Sequence, residues 1–302
     1  INMNEKESFN AESNINDVIH DSAFDNYGRL IFPVDMEIED NLKLKDVSSI
    51  LPWYSEVNND KTVEIVNYMK NQAMNGEQIF YPIYSEEEMQ ADADKKDTGL
   101  FFFRGNAGAK TTIINAGGGF VYVAGIHDSF PHALELSKKG YNAFALIYRP
   151  GAQTACEDLA RAIAFFHENA EKLQIDMTDY SLWGGSAGAR MAAWLGSYGT
   201  AYFGEKEYPA PAAVIMQYTG LSQVTGMEPP TYACVGTSDG IASYRSMENY
   251  ISQIQQNGPN TKIEVFKGLS HGFGLGEGTV AEGWIDRAIS FWEDNMNALD
   301  KR

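Results

Sequence analysis

An α/β fold with a mostly parallel central sheet and helices on both faces is what this sequence predicts, and three observations predict it. From Gly99 onward, short and nearly continuous apolar runs alternate with stretches of helical periodicity. That is the pattern of strands buried on both faces and joined by helices. Several apolar runs lead straight into glycine-rich loops. One such junction, Tyr180 to Trp194, reads as an apolar strand, a tight glycine turn and an alanine-rich helix.

Taken in order, residues 1–50 are rich in Asn, Asp and Glu with few periodic apolar positions. They are expected to form a partly irregular N-terminal extension whose apolar pieces, such as Leu30 to Pro33, dock on a main domain spanning 51–302. Val63, Val66, Met69 and Ala73 give 62–74 a helical spacing. Gln78 to Tyr84 is rich in β-formers. Glu86 to Asp97 is acidic and reads as a short helix or solvated loop, because it lacks the loop-glycine pattern of a Ca²⁺ site. Strands are then expected at 100–104, 111–115, 141–148, 180–183, 212–218, 231–235 and 262–266. Helices are expected at 132–139, 156–173, 244–256 and 281–296, besides the one that follows Ser186. No internal repeat or low-complexity linker interrupts the chain.

The central stretch contains Gly184-Gly185-Ser186-Ala187-Gly188, a G-x-S-x-G sequence in strand–turn–helix context. A serine at the tip of so tight a turn is held in a strained backbone, and flanking glycine lets strand and helix pass closely. The hydroxyl is thereby exposed above the sheet edge, with the Ala187 amide at a helix N-terminus beside it. A serine hydroxyl needs a base to take its proton, and the base needs an orienting group. Asp239 follows one predicted strand in Gly236-Thr-Ser-Asp-Gly240. His271 follows the next in Gly268-Leu-Ser-His-Gly272. Both loops lie just beyond strand carboxyl ends, where open α/β sheets place their sites. Ser186, Asp239 and His271 are therefore the expected nucleophile, orienting acid and base. Gly117-Gly118-Gly119 follows another strand, so the amides of Gly118, Gly119 and Ala187 are the expected donors to an oxyanion. His127, Tyr122 and Tyr218 are candidates for a substrate rim, with a surface loop the equal alternative for His127 and packing the default reading for each tyrosine in a chain that has 16. Arg190, one helical turn after Ser186, is expected to have a structural role.

These pieces resemble the α/β-hydrolase superfamily, in particular its esterase branch with a glycine-rich oxyanion loop, which includes hormone-sensitive-lipase-like and carbohydrate acetyl esterases. The resemblance covers roughly residues 99–296 in element order. More narrowly, Gly99 to Gly105, Gly117 to Val123, Gly140 to Phe144, Ser186 to Met191 and His271 to Leu275 resemble bacterial hydrolases described as esterase, lipase or xylanase-like, a match reaching back to about Leu51. The resemblance implies an α/β-hydrolase fold and hydrolysis of short acyl esters by an acyl-enzyme route, with sugar esters as a hinted substrate class and no cofactor or metal. One departure stands out. The histidine that usually precedes the loop glycines and braces them is here Ala116.

Acidic residues outnumber basic ones 41 to 23, a net charge of −18. A chain this anionic repels nucleic acid and anionic membrane surfaces, so neutral substrates or cations are the easier partners; the small-molecule or oligosaccharide ester is what the resemblance implies. No apolar run approaches the roughly 20 residues that span a bilayer. Of two cysteines, Cys234 reads as a buried thiol in a strand and Cys156 as a helix-start residue, with no metal-type spacing. The polar lead from Asn2 to Asp17 suits a mature secreted protein, a truncated chain or a cytoplasmic one. The sequence sets neither the compartment nor the oligomeric state.

Overall fold

The computed structural model describes residues 8–296; 1–7, part of the expected polar lead, and 297–302 lie outside the described residues. Within them, eight strands form one sheet in the order β1-β2-β4-β3-β5-β6-β7-β8. The first elements are the short helix α1 (Ile15–Ile19) and α2 (Asn59–Met74), whose N-cap Asn58 side chain accepts the Lys61 amide. β1 (Phe80–Tyr81) is shorter than expected from 78–84. It is an edge strand, and Pro82 has no N–H with which to continue the ladder. α3 (Glu86–Ala91) is opened by a reciprocal cap: Ser85 Oγ accepts the Glu88 amide, and the Glu88 carboxylate accepts the Ser85 amide.

β2 (Gly99–Phe103) pairs antiparallel with both β1 and β4 (Asn142–Ile147). The remaining pairings are parallel: β3 (Lys110–Asn115) with β4 and with β5 (Asp176–Gly185), then β6 (Ala213–Gln217), β7 (Thr231–Gly236) and β8 (Thr261–Phe266) outward in turn. Helices fill the crossovers. α4 (Gly125–Asp128) and α5 (Phe130–Lys138) link β3 to β4, and α6 (Ala152–Leu173) links β4 to β5. α7 (Ala187–Tyr198) follows β5, α8 (Tyr244–Gln256) lies between β7 and β8, and α9 (Trp284–Asp294) follows β8. β3 is flanked by β4 on one side and β5 on the other, so the connections leave it in opposite directions. The carboxyl ends of β3 and β5 thus border the crevice where such sheets bind ligands.

The strands from β2 to β7 are almost wholly buried, which accounts for their unbroken apolar runs. α6 begins four residues earlier than its apolar spacing predicts. Ala152 to Ala155 extend it as helix formers after Gly151, and helical spacing alone carries no signal there. At the same end, the fully buried Asp158 accepts the Arg149 amide (2.8 Å), its guanidinium (2.7 Å) and the Tyr84 hydroxyl (2.5 Å). A buried charge is tolerated there because every lone pair is matched.

The segment before Leu51 is largely turns and 3₁₀ helices, but it is not loose. Ile15, Val18, Phe24, Leu30 to Phe32, Leu44, Val47 and Ile50 are all buried in the common core. Tyr27 stacks on Phe80 of β1 at 5.0 Å. This part of the chain covers α2 and the β1–β2 edge of the sheet.

Candidate active site

The junction of β5 and α7 is where sequence dictates geometry most sharply. Ser186 stands at φ 52°, ψ −116°, outside the regions an L-residue ordinarily occupies. Its amide donates to Gln217 O (2.9 Å), which ties the turn to the end of β6. Two residues on, a Cβ at position 188 would lie 1.9 Å from Asn115 O, so only glycine lets α7 start against β3. These constraints put the Ser186 hydroxyl at the carboxyl edge of the sheet.

Two loops converge on it. His271 Nε2 lies 3.1 Å from Ser186 Oγ, and His271 Nδ1 lies 2.8 Å from Asp239 Oδ2. The second Asp239 oxygen accepts the amides of Ile241 (2.8 Å) and Ala242 (2.7 Å), so the carboxylate is fixed on both sides. Three residues separated by 32 and 85 positions along the chain are in hydrogen-bonding line.

The glycine loop faces them. Gly118 and Gly119 line a cavity of about 410 Å³ together with Ser186, His271, Trp53, Tyr54 and Ile241. Gly118 has φ 140°, and a Cβ there would strike Tyr122 O at 2.0 Å. Among the described residues, the amides of Gly118, Gly119 and Ala187 have no hydrogen-bond acceptor.

The loop lacks a bracing histidine and is held otherwise. The Tyr148 hydroxyl donates to Ala116 O, and the Asp128 carboxylate accepts the Gly117 amide at 2.7 Å. Asp128 is 1% exposed and also accepts the hydroxyls of Tyr54 (3.0 Å) and Tyr218 (2.5 Å). Burial and this carboxylate together push both phenols well above the ordinary tyrosine range, so they remain donors. The Tyr218 ring meets the His271 ring edge-on at 5.0 Å.

The three expected rim residues lie elsewhere. Tyr218 is wholly buried beneath the imidazole, and Tyr122 (2% exposed) donates its hydroxyl to Pro52 O at 2.6 Å. His127 (6% exposed) places Nε2 2.8 Å from Gly272 O; burial lowers its basicity. All three are framework beneath the cavity. Residues near predicted strand ends can face either side of a loop, and here the polar tips turn inward to satisfy buried groups.

The actual rim comes from residues that sequence reasoning passed over. Trp53, half exposed at 51%, and Tyr54 arrive on a strap at 51–56, and Ile241 comes from the Asp239 loop. The strap is pinned by the Ser55 amide to Gly272 O (3.2 Å) and the Ser55 hydroxyl to His271 O (2.8 Å). The available signal was Pro52-Trp53-Tyr54, an aromatic pair with no periodicity around it.

The two cysteines are free and buried, with Cys156 pushed up to about 12 and Cys234 also raised by burial, so both thiols stay protonated. Among the described residues, no group of three or more His, Cys, Asp or Glu side chains could hold a metal ion, and no helix is long and apolar enough to cross a membrane.

A sheet of this order, with a serine elbow after its fifth strand, is an α/β-hydrolase fold. The BD-FAE family model, from an esterase-type α/β-hydrolase family, matches residues 104–231. Among solved structures, the chain is similar to an acetyl ester-xyloside bifunctional hydrolase from Caldicellulosiruptor lactoaceticus. The TM-score is 0.62 at 19% identity, covering 71% of this chain and 95% of that one. It is also similar to a thermophilic esterase, Est2, from Thermogutta terrifontis in its propionate-bound form (TM-score 0.58, 19% identity, 65% and 89% coverage). The same esterase phosphonylated by cyclosarin gives a TM-score of 0.51 at 17% identity, with 65% and 86% coverage. No curated protein matches the chain by sequence.

Proposed function

We propose that the protein is a serine-dependent carboxylic-ester hydrolase acting on short acyl esters. The observation that carries this reading is the unbroken line from Ser186 Oγ through the His271 imidazole to Asp239, at 3.1 and 2.8 Å. In the proposed reaction, His271 Nε2 takes the Ser186 proton as Oγ attacks the ester carbonyl, and Asp239 holds the Nδ1–H. The tetrahedral oxygen is received by the free amides of Gly118, Gly119 and Ala187. His271 then returns the proton to the leaving alcohol. Water, deprotonated by the same imidazole, releases the acid from the acyl-enzyme and restores the serine.

Support for short acyl chains is the likeness to an esterase solved in a propionate-bound form; Trp53 and Ile241 border the cavity at Ser186. A sugar acetate is the finer substrate proposal, and its support is the likeness to an acetyl ester-xyloside hydrolase. Ala116 in place of the bracing histidine would favour an inactive binding module if the loop were unsupported. The contacts from Asp128 and Tyr148 supply that support and favour the enzyme.

A chromogenic ester series from acetyl to decanoyl, run beside acetate release from acetylated xylo- and manno-oligosaccharides, tests the reading with Ser186→Ala as blank. Turnover that falls beyond butyryl, with acetate released from the sugars, is the expected result. A flat profile with inert sugars would point to a general carboxylesterase or lipase. Folded protein that neither turns over esters nor reacts with an organophosphonate at Ser186 would end the hydrolase proposal.

A further inference from the structure

A second cavity, of about 380 Å³, is lined by Arg190 and Trp194 of α7 and by Ser222 and Gln223 of the loop after β6. Its lining shares no residue with the cavity at Ser186, and the link between the two is Arg190 itself. Arg190 is four residues past Ser186, and its amide donates to Ser186 O. A long helical side chain leans toward the helix N-terminus, the end of α7 at which Ser186 stands. The loop across the cavity continues directly from Gln217, whose carbonyl holds the Ser186 amide. A guanidinium nitrogen of Arg190 lies 3.4 Å from where a Cβ of Gly220 would stand.

Of the two sequence readings of Arg190, a pair with a surface acid and a place at the site rim, the first finds no carboxylate partner among the described residues. Arg29, Arg149, Arg161 and Arg287 each grip a carboxylate within 3.1 Å. The Arg190 guanidinium has no ion pair and no hydrogen bond among the described residues, in a chain with 41 acidic side chains. Glu228 also lines this cavity, but its two oxygens are taken up by the amides of Thr225 and Gly226 and the Thr225 hydroxyl. A partly buried arginine left unmatched beside a nucleophile is a cation waiting for an acceptor from outside the chain. Its planar fork matches a carboxylate bidentately.

We propose that Arg190 is a specificity residue that binds a carboxylate carried by the ester substrate, in the cavity that it lines. This rests on the hydrolase reading and adds a substrate class to it: an ester that carries an acidic group. The acid can belong to the acyl part, as in a dicarboxylic monoester, or to the alcohol, as in an acylated hydroxy or sugar acid.

Two matched pairs tell these apart: mono(4-nitrophenyl) adipate against 4-nitrophenyl hexanoate, and 4-acetoxybenzoate against 4-acetoxybenzamide. For each pair, the ratio of kcat/KM is compared between the wild type, Arg190→Gln and Arg190→Lys, which removes differences in intrinsic reactivity. A charge-assisted pair of this kind predicts a drop of about 10- to 100-fold in the acidic-to-neutral ratio in Arg190→Gln. The lysine variant should fall between, and the preference should shrink as salt rises from about 20 mM to about 500 mM. The pair that responds identifies the side bearing the acid. Unchanged ratios in both pairs, with neutral esters turned over, overturn the inference and leave the hydrolase standing. If no ester is turned over, the hydrolase reading fails instead. Calorimetry then decides this inference: 4-hydroxybenzoate and adipate are titrated into Ser186→Ala and into Ser186→Ala/Arg190→Gln. Binding of either acid that needs Arg190 upholds the inference, and equal or absent binding of both overturns it.

Discussion

The Asp128 carboxylate accepts the amide of Gly117 at 2.7 Å, fastening the start of the glycine loop to the helix behind it. Here a buried anion does through the main chain what a histidine side chain does in the family the sequence resembles. Asp128→Asn keeps the shape but turns an NH₂ toward groups that are all donors. Loss of charge-assisted hydrogen bonds predicts destabilisation of about 2–4 kcal/mol, read as a lower urea midpoint at unchanged slope. Turnover should fall as well. A variant as stable as the wild type would show that the network contributes little.

Ser186 carries strain that an alanine cannot relieve. A residue held at φ 52°, ψ −116° costs on the order of 1–3 kcal/mol unless it is glycine. Glycine gives back about 0.5–1 kcal/mol in unfolded-chain entropy. Ser186→Gly should therefore melt above Ser186→Ala, with ester turnover lost in both by about 10⁴-fold or more. Equal melting of the two would mean that the elbow is relaxed.

Position 188 discriminates a steric requirement from a compositional habit. In Gly188→Ala the new methyl meets Asn115 O at 1.9 Å, whereas a Cβ at Gly240 meets nothing within 4 Å. The first variant should lose several kcal/mol and its activity, because β3 and α7 must separate. Gly240→Ala should stay within about 0.5 kcal/mol of the wild type. Comparable chemical denaturation curves for the two would contradict the close approach.

Acid should weaken the fold before any carboxylate titrates. Burial lowers the proton affinity of His127, His132 and His167 below the ordinary 6.5. The unfolded chain therefore binds protons first as pH drops, so stability is complete above 6.5 and declines below it. Each group adds at most about 1.4 kcal/mol per pH unit to the slope. Thermal midpoints should fall between pH 7 and pH 5, and His127→Gln should flatten that fall whatever its midpoint at pH 7. The same slope with and without His127 would remove it from the account.

Trp53 closes the cavity at little cost in stability, because it is half exposed. Trp53→Ala should shift the preferred acyl chain upward by several carbons while altering the melting point only slightly. A chain-length profile identical to the wild type would place the acyl group elsewhere.

The sheet was legible because its strands are buried on both faces, so apolar runs and glycine loops mark them directly. Ser186, Asp239 and His271 were legible for a related reason, since each follows such a run in an element order that the chain preserves. The inward turn of His127 was not, because one loop sequence serves equally for a residue facing solvent or framework; for Tyr122 and Tyr218 packing was the default reading, and both are buried. Trp53 and Tyr54 were hidden by distance: nothing around them announces that residues 51–56 meet a loop more than 200 positions away. Arg190 shows a third limit. Whether a surface cation finds a partner depends on where forty-one carboxylates end up, which no local pattern encodes.

The strap at 51–56 also sets an order on folding. Its bond from Ser55 to the His271 carbonyl joins positions 216 apart in a chain of 302. Closing a loop of that length is slow and follows local structure. The His271 imidazole is backed by this contact, so a chain lengthening from its N-terminus holds the serine elbow long before it holds the base proposed for it. In refolding, helical signal should recover ahead of esterase activity, and the lag between them times the arrival of the last quarter of the chain against the first.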